Sequence, residues 1–271
     1  MFFPFHDDNP TRRPPVVTVA LVAVNVLGFL WVGTLPLERR QTLYLEHGFI
    51  PARIHQLTNP KPLIIKDQVR VLHPLLGPVA QERAVAALPP DRRQILGSLF
   101  TSMFLHGGWM HLIGNMWFLW LFGNNVEDRL GGAVYLLFYL AGGLLAAACH
   151  WATDPNSLTP VIGASGAVAA ILGAYAVTWP WARVHTVVIL IVFITIVDVP
   201  ALVVLGVWFL TQVLAARQEM LVGMNGGVAL WAHIGGFVAG AVFMPIVAGL
   251  LGAAPVPRPT KRIDDDGALG V

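Results

Sequence analysis

The sequence predicts an all-α membrane protein, a bundle of six transmembrane helices. Three observations carry this expectation. Hydrophobic residues make up 56% of the 271 residues and charged residues only 12%, with a mean hydropathy of +0.67. Soluble domains carry about 25% charge. Six apolar stretches, 16–34, 111–126, 132–151, 163–180, 199–217 and 229–252, approach the roughly 20 residues a bilayer crossing needs. Finally, the short-loop arginines Arg12, Arg13, Arg129 and Arg183, with Arg258, Lys261 and Arg262, fall on one side of a six-span chain. That side is cytoplasmic by the positive-inside rule.

Each element follows in order. Residues 1–15 form a short cytoplasmic N-terminus. Asp7 and Asp8 precede Arg12 and Arg13, and 16–34 lacks an A-x-A exit, so this stretch is the first span rather than a cleaved signal. Segment 35–105 is the main hydrophilic region, a long outer loop rich in proline, too mixed for an independent domain and expected to be partly membrane-embedded. The second stretch, 111–126, is short and must begin earlier or tilt. Stretch 186–197 is apolar but too short to cross alone, and Asp198 and Pro200 interrupt it. It is a hairpin, an interfacial segment or the start of a kinked fifth span. The membrane domain thus runs over 16–252, and 253–271 reads as a disordered cytoplasmic tail. Arg217, at the outer end of the fifth span, is the one exception to the charge rule. The termini are cytoplasmic and the protein is expected in the cell (inner) membrane, with the lipid bilayer as its medium.

Composition also excludes functions. No basic cluster carries interleaved aromatics, so nucleic acid is not a partner. The single cysteine, Cys149, rules out an internal disulfide and is expected in core packing. Several of the nine tryptophans, Trp109 and Trp181 among them, stand near expected interfaces. Of the cluster Phe100, Met103 and Phe104, core packing is expected over a lateral substrate entry. Glu127-Asp128-Arg129 reads as a solvated helix end, with capping or local pairing as the alternative. Nothing in the pattern specifies an oligomeric state.

Chemistry concentrates on three stretches. Ser165 stands in Gly163-Ala-Ser-Gly166, and His233 in the sixth span. A hydroxyl and an imidazole are costly in lipid, so such a pair is a functional-site hypothesis. Together they supply the nucleophile and base of acyl transfer. The helix from about residue 165 to 179 is about 23 Å long, against a core of about 30 Å. Ser165 is therefore expected below the outer surface, at a helix N-terminus whose free N–H groups stabilise an oxyanion. The bland alternative is a small-residue motif that only lets helices approach.

His233, Gly236 and Gly240 share one helical face, extended by Ala229; Ser165, Ala169 and Gly173 share another. Two smooth faces pack closely, which brings His233 to Ser165. The alternative is a lone histidine hydrogen-bonded to a neighbouring helix. His106, His111 and Asn115 read H-x4-H-x3-N and enter from the same outer side. Donors there complete an oxyanion hole. A metal is the rival reading, but no carboxylate stands at ligand spacing nearby.

These residues resemble the rhomboid family of intramembrane serine proteases. The matching pieces are His106-Gly-Gly-Trp-Met-His111-Leu-Ile-Gly-Asn115, Gly163-Ala-Ser165-Gly166 and Ala232-His233-Ile-Gly-Gly236, in the family's order on spans two, four and six. The resemblance covers about 100–252. It implies a rhomboid-like six-span bundle of bacterial type with a Ser–His dyad. Ser165 is then the nucleophile and His233 the general base. His111, Asn115 and the Ser165 N–H form the oxyanion hole, with His106, Gly163, Gly166, Gly236 and Gly240 in support. The implied substrates are single-pass membrane proteins cut in or near their transmembrane segment; no cofactor and no metal is implied. Two departures stand out. Four residues after the serine, where many members stack an aromatic on the histidine, this chain has Ala169. What orients His233 is open, with an aromatic of the fifth span as the candidate. The Trp-Arg pair of many first loops is missing; Arg92-Arg93 and 99–104 occupy the comparable stretch.

Two other functions compete. A rhomboid-like pseudoprotease would bind client helices without cutting, but inactive relatives typically lack the serine or histidine. A small transporter would need paired acids or broken helices at mid-membrane, and Asp198 is the one acid inside the apolar region of spans three to six.

Overall fold

A computed structural model describes residues 2–73, 77–190, 193–222 and 229–253. The elements run β1 (Phe2–Asp7), α1 (Val16–Thr34), α2 (Leu37–His47), a 3-10 turn (Pro51–Leu57), β2 (Leu63–His73), β3 (Gly77–Leu88) and α3 (Arg92–Thr101). Then follow α4 (Trp109–Leu130), α5 (Gly132–Thr153), α6 (Ser165–Thr178), β4 (Arg183–Leu190), β5 (Phe193–Pro200), α7 (Ala201–Val222) and α8 (Leu230–Leu250). Six of the helices, α1 and α4 to α8, coincide with the six apolar stretches. The protein is an all-α membrane bundle; its strands lie outside these helices.

Four helices, α1, α5, α7 over Ala201–Gln218, and α8, are long and apolar enough to cross a membrane. The other two fall short for different reasons. α4 has 22 residues but carries His111, Asn115, Asn124, Asn125, Glu127 and Asp128. α6 is apolar but has only 14 residues, about 21 Å. It is buried along its length from Gly166 to Ala176. A helix wrapped in protein needs no full hydrocarbon thickness of its own, because its flanking backbone is shielded by neighbours rather than by lipid.

The packing of α6 on α8 is the closest approach in the bundle core. A Cβ on Gly240 would run into the Ala170 carbonyl, one on Gly173 into the Phe237 carbonyl, and one on Gly236 into the Gly166 carbonyl. The smooth faces expected from the sequence meet, with Ala170 added to them. Cys149 packs against Gly235. Of the aromatic cluster before α4, Met103 is buried and Phe104 joins the core, whereas Phe100 is 43% exposed.

Two segments are more ordered than their composition suggested. On either side of 191–192, which lie outside the described residues, β4 pairs antiparallel with β5, the hairpin among the expected alternatives, and β1 adds to the far edge of β4. Residues 2–7 are therefore part of the packed unit. The Trp117 indole donates to the Pro4 carbonyl at 2.7 Å. Asp7 is buried, accepting from the Asn125 amide at 3.0 Å and from the Tyr175 hydroxyl. Burial pushes the Asp7 carboxyl above its ordinary value. The long loop after α1 likewise has its own small core of Ile50, Ala52 and Leu88. At its centre is Arg53, 1% exposed, donating to Gln56 Oε1, Gln94 Oε1 and the Pro89 carbonyl at 3.2, 2.7 and 3.1 Å. Among the described residues of this loop the buried arginine is thus Arg53; Arg92 and Arg93 are both exposed. The expected tail lies outside the described residues from 254 onward.

Glu127 corrects another expectation. It is 5% exposed, not a solvated helix end. Its carboxylate accepts from the N–H groups of Val17 and Thr18 at 2.8 and 2.7 Å, and from the Thr18 hydroxyl at 2.8 Å. A helix N-terminus leaves N–H donors unpaired and positive, and a carboxylate satisfies both. No residue of α1 itself provides a side-chain cap, so the end of α4 supplies one.

The sheet is pinned by His185. Its Nε2 bonds Asp8 Oδ1 at 2.8 Å and its Nδ1 bonds Asp198 Oδ1 at 2.6 Å, while the His6 ring stacks at 5.5 Å. Two carboxylate acceptors call for both ring nitrogens protonated. The bonds to Asp8 and then Asp198 raise the His185 pKa. Its contribution is fully present below the unfolded value of about 6.5 and is lost as pH rises through the higher folded value. A spin label at position 3, with Cys149 replaced, should gain mobility between pH 6 and pH 9. In a His185→Asn background it should be mobile at both.

Candidate active site

The N-terminal ends of α4, α6 and α8 meet at one end of the bundle. Ser165 is the first residue of α6, and His233 lies in the first turn of α8. Ser165 Oγ and His233 Nε2 are 2.7 Å apart. The close α6–α8 contact below them sets this separation, because Gly236 and Gly240 continue the His233 face. Gly166, beside Ser165, would carry a Cβ only 2.7 Å from that of Ala146 on α5. Ala169 is fully buried and faces α8 at Gly236, so no aromatic fits between the helices there.

The other nitrogen of the His233 ring is met by α7. His233 Nδ1 lies 2.8 Å from Gln212 Oε1, and Trp208, one turn earlier, lies 6.0 Å away, ring to ring. Sequence reasoning looked for an aromatic from this span and overlooked the amide. The signal was present: Thr211-Gln212 is a polar pair inside an apolar run, and polar groups at such positions are costly unless they serve.

The third group comes from α4 and the turn before it. Gly163 has φ +125°, which favours glycine. A Cβ there would lie 2.5 Å from His111 Nε2 and 3.6 Å from Asn115 Nδ2. His111 and Asn115 therefore border the backbone two residues before Ser165. The Asn115 amide donates to His106 Nε2 at 3.1 Å, and the His106 and His111 rings meet edge to face at 5.1 Å. Asn115 and His106 are buried; His111 is exposed. Of the residues expected at the site, Ser165, His233, His106, His111, Asn115, Gly163 and Gly166 lie here, while Gly236 and Gly240 lie one and two turns down α8 and set helix spacing.

The first loop and the turn 154–164 hold the site's backbone. Gly163 N–H donates to the Ser102 carbonyl at 2.9 Å, and Phe49 and Val161 exchange two backbone bonds of 2.9 and 2.8 Å. The Tyr44 hydroxyl donates to the His106 carbonyl at 2.9 Å. No side chain caps α6, so its first N–H groups are available to a ligand. Among the described residues, one group has metal-ligand spacing, His6, Asp8 and His185. It lies at the opposite end of α6, about 20 Å away, and its His185 nitrogens already bond Asp8 and Asp198.

Comparison with known proteins agrees with this architecture. Residues 93–250 match the family model described as the Rhomboid domain. Over 96 residues the chain is 37% identical to "Rhomboid-like protein 11, chloroplastic" of Arabidopsis thaliana, covering 33% of each protein. It is 40% identical over 76 residues to "Rhomboid protease GluP" of Bacillus subtilis, covering 28% of this chain and 14% of that one. It is 29% identical over 103 residues to "Presenilin-associated rhomboid-like protein A, mitochondrial" of Danio rerio, covering 37% and 27%. The matched stretches thus span about a third or less of these relatives. With six helices in the expected order and a family match over more than half its length, this chain belongs to the rhomboid family.

Proposed function

We propose that this chain is an intramembrane serine endopeptidase that cuts single-pass membrane proteins in or near their transmembrane segment. The observation that carries it is the 2.7 Å contact of Ser165 Oγ with His233 Nε2. In the reaction, Ser165 Oγ attacks a peptide carbonyl while its proton passes to His233 Nε2. The C–O bond forms and the carbonyl electrons move to oxygen. The Ser165 N–H and the side chains of His111 and Asn115 border that oxyanion. His233 then gives its proton to the leaving amine as the C–N bond breaks, leaving an acyl-enzyme. Water, deprotonated by the same nitrogen, releases the acid. No step requires a cofactor.

The membrane setting adds a requirement. Carbonyls in a substrate helix are hydrogen-bonded, so the helix must unwind locally before attack. Small or helix-breaking residues near the cut favour this. For the orientation, we infer cytoplasmic termini in the cell membrane. Arg13 and Asp128 share a hydrogen bond, and Arg183 pairs with Asp8 through its backbone, at the end of the bundle away from Ser165.

A fluorophosphonate tests the nucleophile without a known substrate. It should label the wild type at Ser165 and should not label His233→Ala. Absence of labelling in the wild type points instead to a client-binding pseudoprotease. A subtler effect is expected at Asn115. Asn115→Ala should lower kcat by up to about a hundredfold, about 2.7 kcal/mol, the scale of one oxyanion donor. An unchanged rate removes Asn115 from the hole.

A further inference from the structure

We infer that Gln212 of α7 is a positioning residue for the Ser165–His233 pair, holding the imidazole in the tautomer that faces the serine with a lone pair. This rests on the protease reading above. The orientation of the amide is the first step. Gln212 Nε2 lies 3.4 Å from the Trp208 carbonyl and 3.2 Å from Thr211 Oγ1. The Thr211 hydroxyl spends its proton on the same Trp208 carbonyl at 2.6 Å, so its oxygen accepts from Gln212. Both neighbours of this atom are acceptors, which identifies it as the nitrogen. The amide oxygen therefore faces His233 Nδ1 at 2.8 Å. A carbonyl oxygen only accepts, so Nδ1 carries the proton. Nε2 is left with its lone pair directed at Ser165 Oγ.

The reverse amide would fail twice. It would set Oε1 against the Trp208 carbonyl, two acceptors face to face. It would also demand an acceptor at Nδ1, moving the ring proton to Nε2 and leaving no base beside the serine. Thr211, Trp208 and Gln212 thus fix one tautomer from within a single turn of α7.

An amide suits the location. The third group of an acyl-transfer site orients the base and need not be charged; Cys-His-Asn sites use an amide in this way. A carboxylate inside a membrane bundle would carry a desolvation cost that an amide avoids. With Ala169 leaving no room for an aromatic on α6, the fifth span supplies the orienting contact, so that the serine, the base and its orienting group stand on three different helices.

The test uses the full-length protein in detergent with 15N-labelled histidine, the His233 signals being assigned by His233→Asn. In the wild type and in Ser165→Ala, long-range 1H–15N spectra should show His233 protonated at Nδ1. In Gln212→Leu the bonded Nδ1–H signal should be lost. Its kcat on a model single-span substrate should fall about a hundredfold with KM within twofold. This is less than the ~10⁴-fold loss seen where a wrong tautomer is enforced, because here neither tautomer is enforced. Gln212→Glu restores an acceptor at Nδ1 but turns its other oxygen on the Trp208 carbonyl, and should recover the rate only in part, to between the Gln212→Leu and wild-type values. A wild-type spectrum with the proton on Nε2 overturns the assignment, as does Gln212→Leu with wild-type kcat. Failure of the protease reading is visible separately, as wild-type turnover no greater than that of Ser165→Ala; the spectrum still reports the tautomer in that case.

Discussion

Ser165→Ala should reduce cleavage of a single-span substrate by about 10⁴-fold or more, to background, with the fold intact. The hydroxyl removed is the one group placed to attack, with its oxygen 2.7 Å from an imidazole nitrogen. Without it, no other nucleophile among the described residues makes a hydrogen bond to His233. The structural cost is small, since one neutral hydrogen bond contributes about 1 kcal/mol. Thermal unfolding should therefore move little while the gel assay loses its product band. His233→Ala should be equally inactive, because an unactivated serine hydroxyl is a weak nucleophile. The double variant should be no worse than either single one, as expected of residues that act as a unit. Cleavage retained by Ser165→Ala would end the nucleophile assignment.

Gly240→Ala should be the most damaging single-methyl substitution. Its Cβ would run into the carbonyl of Ala170 on α6, which is backbone and cannot swing aside. Relief requires the two helices to separate. Overpacking of this kind typically costs about 1–3 kcal/mol, and a backbone clash belongs at the upper end. Function suffers as well, because His233 rides on the same helix two turns earlier. Misplacement by about 1 Å can cost about a hundredfold in rate. Melting temperature and cleavage should therefore fall together. Gly249 provides the control on the same helix, since a Cβ there meets nothing within 4 Å. Gly249→Ala should leave both quantities near wild type. If Gly240→Ala behaves like Gly249→Ala, the close α6–α8 contact does not hold the site.

Much of the site is legible without coordinates. Ser165 and His233 are polar groups set in apolar runs, and Gly236 and Gly240 follow His233 at helical spacing. Local composition and helical periodicity are enough to find them. The same applies to α1, α5, α7 and α8, since lipid selects such stretches by their own length and apolarity. Gln212 was equally visible as an outlier in span five. Its meaning was not, because its partner lies 21 residues away and the pairing depends on how α7 rotates against α8. Glu127 has the same character. A carboxylate near a helix end looks solvated until the start of another helix, 109 residues earlier, is found to need a cap.

Arg53 and the pairing of β1 with β4 were overlooked for a related reason. Hydrogen-bond partners such as Gln94, or the edge of β4, come from segments remote in sequence, and no local pattern announces them. The sequence by itself determined the membrane class, the order of the spans, and the serine and histidine with the small-residue faces that carry them. The tertiary structure alone decided which atoms meet: His233 Nε2 on Ser165, Nδ1 on Gln212, Asn115 on His106. Apolarity and helical period are properties of a segment. A hydrogen bond between helices depends on their relative rotation and spacing, which are set only when Gly236, Gly240 and Gly173 let the backbones close.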